Sequence, residues 1–211
     1  MLTGIGLLVF MHIAHELREQ ELTAIDTSIL TMMRQHQSPS LTTTAIVLSD
    51  MLYWNVAILL LTPFVIYLWV VRRWLTAVIL VAVPLLSNLL VVVLKDLFQR
   101  HRPLTALIPE VGKSFPSGHA TISPVLYGLL GYIVWRYLVK SAWSRLLVVS
   151  FTVCLVLGTG LARIYLNVHY PSDVLAGWAV GSCILFGTIV LLERLAQRES
   201  GHGDGNLPVQ E

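Results

Sequence analysis

Lys95-Asp-Leu-Phe-Gln-Arg-His-Arg102-Pro103 closes one apolar run of this chain, and Phe115-Pro-Ser117-Gly118-His119 opens the next. A third polar stretch, Arg163-Ile-Tyr-Leu-Asn-Val-His169-Tyr-Pro-Ser-Asp173, joins two further apolar runs. Together they offer cations, a helix start, two histidines and a carboxylate, a set suited to phosphoryl transfer. That reaction holds an anion while a nucleophile attacks in line and charge spreads over the equatorial oxygens. Lys95, Arg102 and Arg163 supply positive charge, and the two arginines can grip oxygens bidentately. Ser117 has the position of an N-cap, so the N–H groups after it would point at an anion. Gly118, lacking a Cβ, allows close backbone approach.

The two histidines divide the remaining work. One attacks as neutral imidazole and the other protonates the leaving alkoxide. His169 has Asp173 four residues on, and a carboxylate at one ring nitrogen fixes the tautomer and supports the charge formed on attack. Pro171 is expected to begin a helix, which puts His169 just before it and Asp173 in its first turn. Their hydrogen bond is therefore a prediction about the fold. His119 takes the part of general acid, then of the base that activates water. The plainer alternative for cations at the end of an apolar run is an anchor that snorkels to headgroups. It is kept for Arg100 and Lys113, and set aside for Lys95 and Arg102 because the other two stretches accompany them. His12 and His15 read as an incidental pair, not as a metal site.

Elements must hold these stretches together, and composition says which kind. The chain is 55% hydrophobic and 12% charged, with mean hydropathy +0.73. Soluble domains carry roughly 25% charged residues. The net charge of +2 gives no footing for nucleic acid. Cys154 and Cys183 fall inside apolar runs and read as buried thiols. Crossing a bilayer takes about 20 apolar residues, and five segments meet that description: Trp54–Val70, Trp74–Leu94, Ala120–Trp135, Leu146–Ala162 and Val174–Leu192. Leu2–Ala14 is apolar but short. It reads as a first span extended from His15 onward, in preference to a membrane-dipping helix or the h-region of a signal peptide. Glu21–Arg34 puts Leu22, Ile25, Ile29, Met32 and Met33 on one face, the pattern of an interfacial amphipathic helix, and Gln37–Thr44 reads as a Ser/Thr-rich connector. Arg72, Arg73, Arg136, Lys140, Arg145, Arg194 and Arg198 fall on one side if the spans alternate, which the positive-inside rule makes cytoplasmic. All three polar stretches then lie on the opposite side.

The three stretches resemble the signature of the type 2 phosphatidic acid phosphatase superfamily: Lys-x6-Arg-Pro, Pro-Ser-Gly-His and Ser-Arg-x5-His-x3-Asp. Lys95, Arg102, Pro103, Pro116, Ser117, Gly118, His119, Arg163, His169 and Asp173 fall on it in order and spacing, and the resemblance covers roughly residues 52–195. Ala162 stands where the family pattern has Ser. The resemblance implies an all-α, polytopic membrane helix bundle of about six transmembrane helices with an extracytoplasmic site. It implies His169, His119 and Asp173 as catalytic residues, phosphate held by Lys95, Arg102, Ser117, Gly118 and Arg163, and neither metal nor cofactor. The expected domain is residues 1–196, followed by a disordered cytoplasmic tail, 197–211. The expected location is a bacterial inner membrane, and the expected partners are the bilayer and a membrane lipid phosphate: an isoprenyl diphosphate, phosphatidylglycerol phosphate or phosphatidate. A lipid phosphotransferase, or a non-catalytic lipid-phosphate binder or transporter, is the rival reading.

Overall fold

The structure, a computed structural model, describes residues 2–19 and 21–201, with side chains described from Thr3 as far as Gln197. Among the described residues eight α-helices follow one another: α1 (Leu2–Arg18), α2 (Thr23–Gln35), α3 (Pro39–Asp50), α4 (Trp54–Val70), α5 (Trp74–Phe98), α6 (Gly118–Ile133), α7 (Ala142–Tyr165) and α8 (Pro171–Gly201). The ends of α4 are those expected from its uncharged run. α5 continues past Leu94 to Phe98, carrying Lys95 in its last turn, and stops at Gln99 in the left-handed region at φ 52°. α6 passes into a π-helical turn over Val134–Leu138. α8 runs beyond Gln197, where the polar tail was expected to begin, to Gly201. Residues 202–211 of that expected tail, with His202, lie outside the described residues.

Three expectations are corrected. Gln37–Thr44 is no connector, because most of it forms α3. Ser38 caps that helix by accepting from Leu41 N at 3.4 Å, and Pro39 occupies its first turn. Thr43 and Thr44 then donate back to the carbonyls of Pro39 and Ser40, each at 3.0 Å, which satisfies the hydroxyls inside a helix. The thiols are not both buried either. Cys154 is exposed on the outer face of α7, and Cys183 is half-buried, donating to Thr3 O at 3.0 Å. Finally, the side of α2 that packs holds Asp26 and Leu30 with Ile29 and Met33, whereas Ile25 and Met32 face outward.

Among the described residues, α5, α7 and α8 (as far as Gln197) are long and apolar enough to cross a membrane. The pair α3–α4, bent by 56°, makes a fourth if taken as one span. α1, α4 and α6 have 17, 17 and 16 residues, at the short limit for the hydrocarbon layer. The most apolar stretches of α5 and α7 are each only 28% buried against protein, so their outward side chains need an apolar solvent. The chain is an integral membrane protein.

α6 is the inner helix. Val125, Leu126, Leu129 and Ile133 are all at most 1% exposed, and Leu68 and Leu80 from α4 and α5 close over them. Its tightest neighbour is α8, and two glycines allow the approach. A Cβ at Gly181 would stand 2.3 Å from Thr121 O, and one at Gly177 would stand 2.8 Å from Ser117 O. Both clashes are with backbone, which cannot swing away. The same approach lets Ser117 N donate to Asp173 O at 3.0 Å, tying the start of α6 to the start of α8. Gly181→Ala should therefore lower stability by about 1–3 kcal/mol, seen as a lower thermal midpoint in detergent. Gly187→Ala, where a Cβ meets nothing within 4 Å, should leave the midpoint unchanged or raise it.

Candidate active site

The C-terminal ends of α5 and α7 and the N-terminal ends of α6 and α8 come together at one end of the bundle. Lys95, Arg102, Gly118, His119, Arg163 and His169 line a single cavity there, of about 590 Å³. Ser117 is fully buried at the N-cap of α6 and accepts from Ala120 N at 3.4 Å. Gly118 borders the cavity, and a Cβ on it would make only ordinary contact with Val91 at 3.6 Å. Of the sequence-derived residues, Ser117 and Asp173 are not among the cavity lining; they stand immediately behind it.

His169 sits in the turn between α7 and α8. Asn167 gives that turn its left-handed residue at φ 54°, a conformation Asn tolerates better than most side chains. The imidazole is 1% exposed. Arg102 Nη1 lies 3.1 Å from Nε2 and also donates to Val168 O at 2.8 Å. A guanidinium can only donate, so Nε2 must present its lone pair and Nδ1 must carry the proton. Nδ1 faces Asp173 Oδ2 at 3.4 Å, near enough to pair but not aligned as the expected hydrogen bond. The reason is crowding: Oδ2 already accepts from Ser114 Oγ in a short contact and from Tyr170 N at 2.9 Å. Burial pulls the His169 pKa down to about 4; Asp173 opposes this, while Arg102 and Arg163 add to it. The ring is thus a neutral base at ordinary pH.

His119 projects into the cavity from the first turn of α6, with its Nε2 buried and without a hydrogen-bond partner. Tyr53 meets its ring edge-on at 6.0 Å. Arg163 is fully buried, and its Nε and Nη1 also lack partners. Ala162, in place of the family Ser, packs with Ala45, Leu166 and Val168 away from these groups.

Four residues of this region escaped the sequence reading. Arg100 is not a headgroup anchor. It donates to Asp173 Oδ1 at 2.5 Å, Asp26 Oδ2 at 2.7 Å and Ser172 Oγ at 2.8 Å, and it lies over the Tyr170 ring at 4.0 Å. Burial works against its charge, but Asp173 and Asp26 outweigh it and hold the guanidinium more firmly protonated than usual. Asp26, from α2, is 2% exposed and also accepts from Ser172 N at 3.0 Å. A visible signal was its register: apolar residues flank it at Leu22, Ile29, Leu30 and Met33, so it shares the packed side of the helix. Ser114 and Glu110 come from the loop between α5 and α6. Glu110 is the one acid in the otherwise largely apolar segment 104–111, which marks it as unusual there.

A family model described as the PAP2 superfamily matches residues 74–196, from the first residue of α5 through most of α8. The chain belongs to the PAP2 superfamily. The matched segment of this PAP2 chain includes all three polar stretches, whereas Asp26 and helices α1–α4 lie outside it. Phosphatidylglycerophosphatase B of Bacillus subtilis is 32% identical over 101 residues, covering 47% of this chain and 50% of the relative. Decaprenylphosphoryl-5-phosphoribose phosphatase of Mycobacterium tuberculosis is 35% identical over 124 residues, covering 56% and 60% respectively. The chain thus matches less than two thirds of either relative. The crystal structure of a transmembrane PAP2-type phosphatidylglycerolphosphate phosphatase from Bacillus subtilis superposes with a TM-score of 0.85 at 23% identity. That match covers 91% of this chain and 96% of the other, and shows that the two share a fold.

Two pH-dependent outcomes follow for the PAP2 chain. Arg102→Gln should move the His169 pKa upward from about 4, because a cation that disfavours imidazolium is gone, and Asp173→Asn should move it further down. Histidine-selective ¹⁵N NMR in nanodiscs reads both. Asp26→Ala strips Arg100 of one buried carboxylate and should lower unfolding stability by about 3 kcal/mol, measured by thermal denaturation.

Proposed function

We propose that this chain is a phosphatase that removes phosphate from a phosphomonoester or diphosphate of a membrane lipid through a phosphohistidine on His169. One juxtaposition carries the reading: the Nε2 lone pair of a buried neutral imidazole lies beside Arg102, in a cavity shared with Arg163, Lys95 and His119. In the first half-reaction the Nε2 lone pair forms an N–P bond while the P–O bond to the lipid breaks. The proton of His119 passes to the departing oxygen. The positive charge left on His169 is concentrated at Nδ1–H, facing Asp173. In the second half, His119 takes a proton from water, the new hydroxide bonds to phosphorus, and the N–P pair returns to His169. Lys95, Arg102 and Arg163, with the N–H groups that follow Ser117, stabilise the charge spread over the equatorial oxygens.

The lipid nature of the substrate rests on the other half of the cavity. Trp54, Ala57, Ile58, Leu61, Leu85 and Val92 line it, from α4 and α5. Trp54, Ile58, Leu85 and Val92 are also exposed on the outer faces of those helices, so the cavity opens sideways between them. A chain-bearing phosphate can then enter from the bilayer with its tail in the apolar part and its head at His169. Leu104 and Val111, almost wholly exposed at the loop tip, suit a seat in the interface. Phosphatidylglycerol phosphate is the favoured substrate, on the strength of the Bacillus subtilis relative's name; an isoprenyl diphosphate or phosphatidate fits the same chemistry. The basic residues of the opposite bundle end favour six crossings of a bacterial inner membrane with the site on the extracytoplasmic side.

The test is phosphate release from purified protein across a panel of lipid phosphates and diphosphates in mixed micelles. His169→Ala and His119→Ala should each lower turnover at least about 10²-fold, orthovanadate should inhibit, and EDTA should not. Turnover that survives in His169→Ala sinks the phosphohistidine route. Activity lost to EDTA and restored by a divalent cation sinks metal independence.

A further inference from the structure

Glu110 stands where the proposed chemistry has no use for a carboxylate. Its Oε1 accepts from Arg163 Nη2 in a short contact, and its Oε2 lies 3.4 Å from Arg102 Nη2. Burial pushes its carboxyl up, but Arg163 and Arg102 outweigh burial and hold it below the usual carboxylate range. The loop around it engages the same arginine: Arg102 Nε donates to Gly112 O at 3.2 Å and Nη2 to Val111 O at 3.3 Å. Glu110 lines the cavity together with Arg102, Arg163 and His169. Two of the donors that a phosphoryl group beside His169 would use, Arg163 Nη2 and Arg102 Nη2, therefore already face an anion belonging to the protein. A phosphoryl group bound at those same N–H groups would stand against the Glu110 carboxylate, and like charges at that range repel.

We propose that Glu110 is an internal counter-anion: it fills the phosphoryl subsite, and every incoming phosphate must displace it. This rests on the phosphatase reading given above. Displacement costs the same for any phosphate, but only a lipid-borne one gains enough elsewhere, from its tail in the apolar cavity, to offset it. Free inorganic phosphate has no such compensation, so it binds weakly and the product is expelled as Glu110 returns. The competing possibility is that Glu110 simply holds the two arginines in place. The two differ in sign, since a displaced anion opposes phosphate binding and a positioning residue supports it.

Glu110→Gln keeps the shape and a hydrogen bond to Arg163 while removing the charge. In mixed micelles with the intact chain, its inhibition constant for inorganic phosphate should fall at least about tenfold, equivalent to about 1.4 kcal/mol. KM for the lipid phosphate should fall in the same direction. An inhibition constant that is unchanged or higher overturns the proposal. A second measurement needs no variant: saturating the wild-type protein with orthovanadate should speed hydrogen exchange across residues 105–112. Leu107 N, now bonded to Leu166 O at 2.9 Å, is the natural reporter. Slower or unchanged exchange there also overturns it, and this measurement decides if the variant does not fold. A wild-type protein that releases no phosphate from any lipid overturns the phosphatase reading and this proposal together. Normal turnover with no added phosphate sensitivity in Glu110→Gln overturns this proposal alone.

Discussion

Four cations, Lys95, Arg100, Arg102 and Arg163, are gathered at one half-buried to fully buried end of this bundle, and their mutual repulsion is the constraint that shapes the region. Two like charges about 4 Å apart repel by about 4 kcal/mol at an effective dielectric constant of 20. Such a cluster persists only if acids are set among its members. Asp26 and Asp173 share Arg100, while Glu110 spans Arg102 and Arg163. Each carboxylate is supplied by a different part of the chain: α2, the first turn of α8 and the loop between α5 and α6. The close packing of α6 on α8 through Gly177 and Gly181 brings the turn that carries His169 against this charged set.

Within that arrangement Asp173 has two duties. One oxygen is held by Arg100; the other is held by Ser114 and the Tyr170 amide and faces His169. An aspartate so fully engaged is fixed in place, and it orients the imidazole by electrostatics more than by a single aligned hydrogen bond. Asp26 extends the same support to the surface helix α2, through Arg100 and both polar groups of Ser172. Helix α2 is therefore part of the framework behind His169, despite lying outside the segment by which the family is recognised.

Much of this was legible beforehand because its signals are local. Charge-free runs marked α4 and most of α5, α7 and α8, and the placement of polar residues at their ends put Lys95, Ser117, Arg163 and Asp173 at one level. What stayed hidden depends on contacts distant in sequence. Asp26 meets Ser172 across 146 residues, and Arg163 meets Glu110 across 53. No spacing rule reaches that far. Arg100 shows the ambiguity well: a cation just beyond an apolar helix looks alike whether it reaches for lipid headgroups or turns inward to a carboxylate. α3 was missed for another reason. Its threonines weigh against a helix by propensity, while the Ser38-Pro39 start, which favours one, occupies only two positions.

Under the proposed lipid-phosphatase reading, the apolar flank of the cavity between α4 and α5 has a consequence for how fast the protein can meet its substrate. A molecule confined to the bilayer and approaching in its plane searches two dimensions, so the governing quantity is its mole fraction among the surrounding lipids, not its amount per volume of buffer. Adding inert lipid or detergent at fixed total substrate then dilutes the encounter as surely as adding water dilutes a soluble reaction.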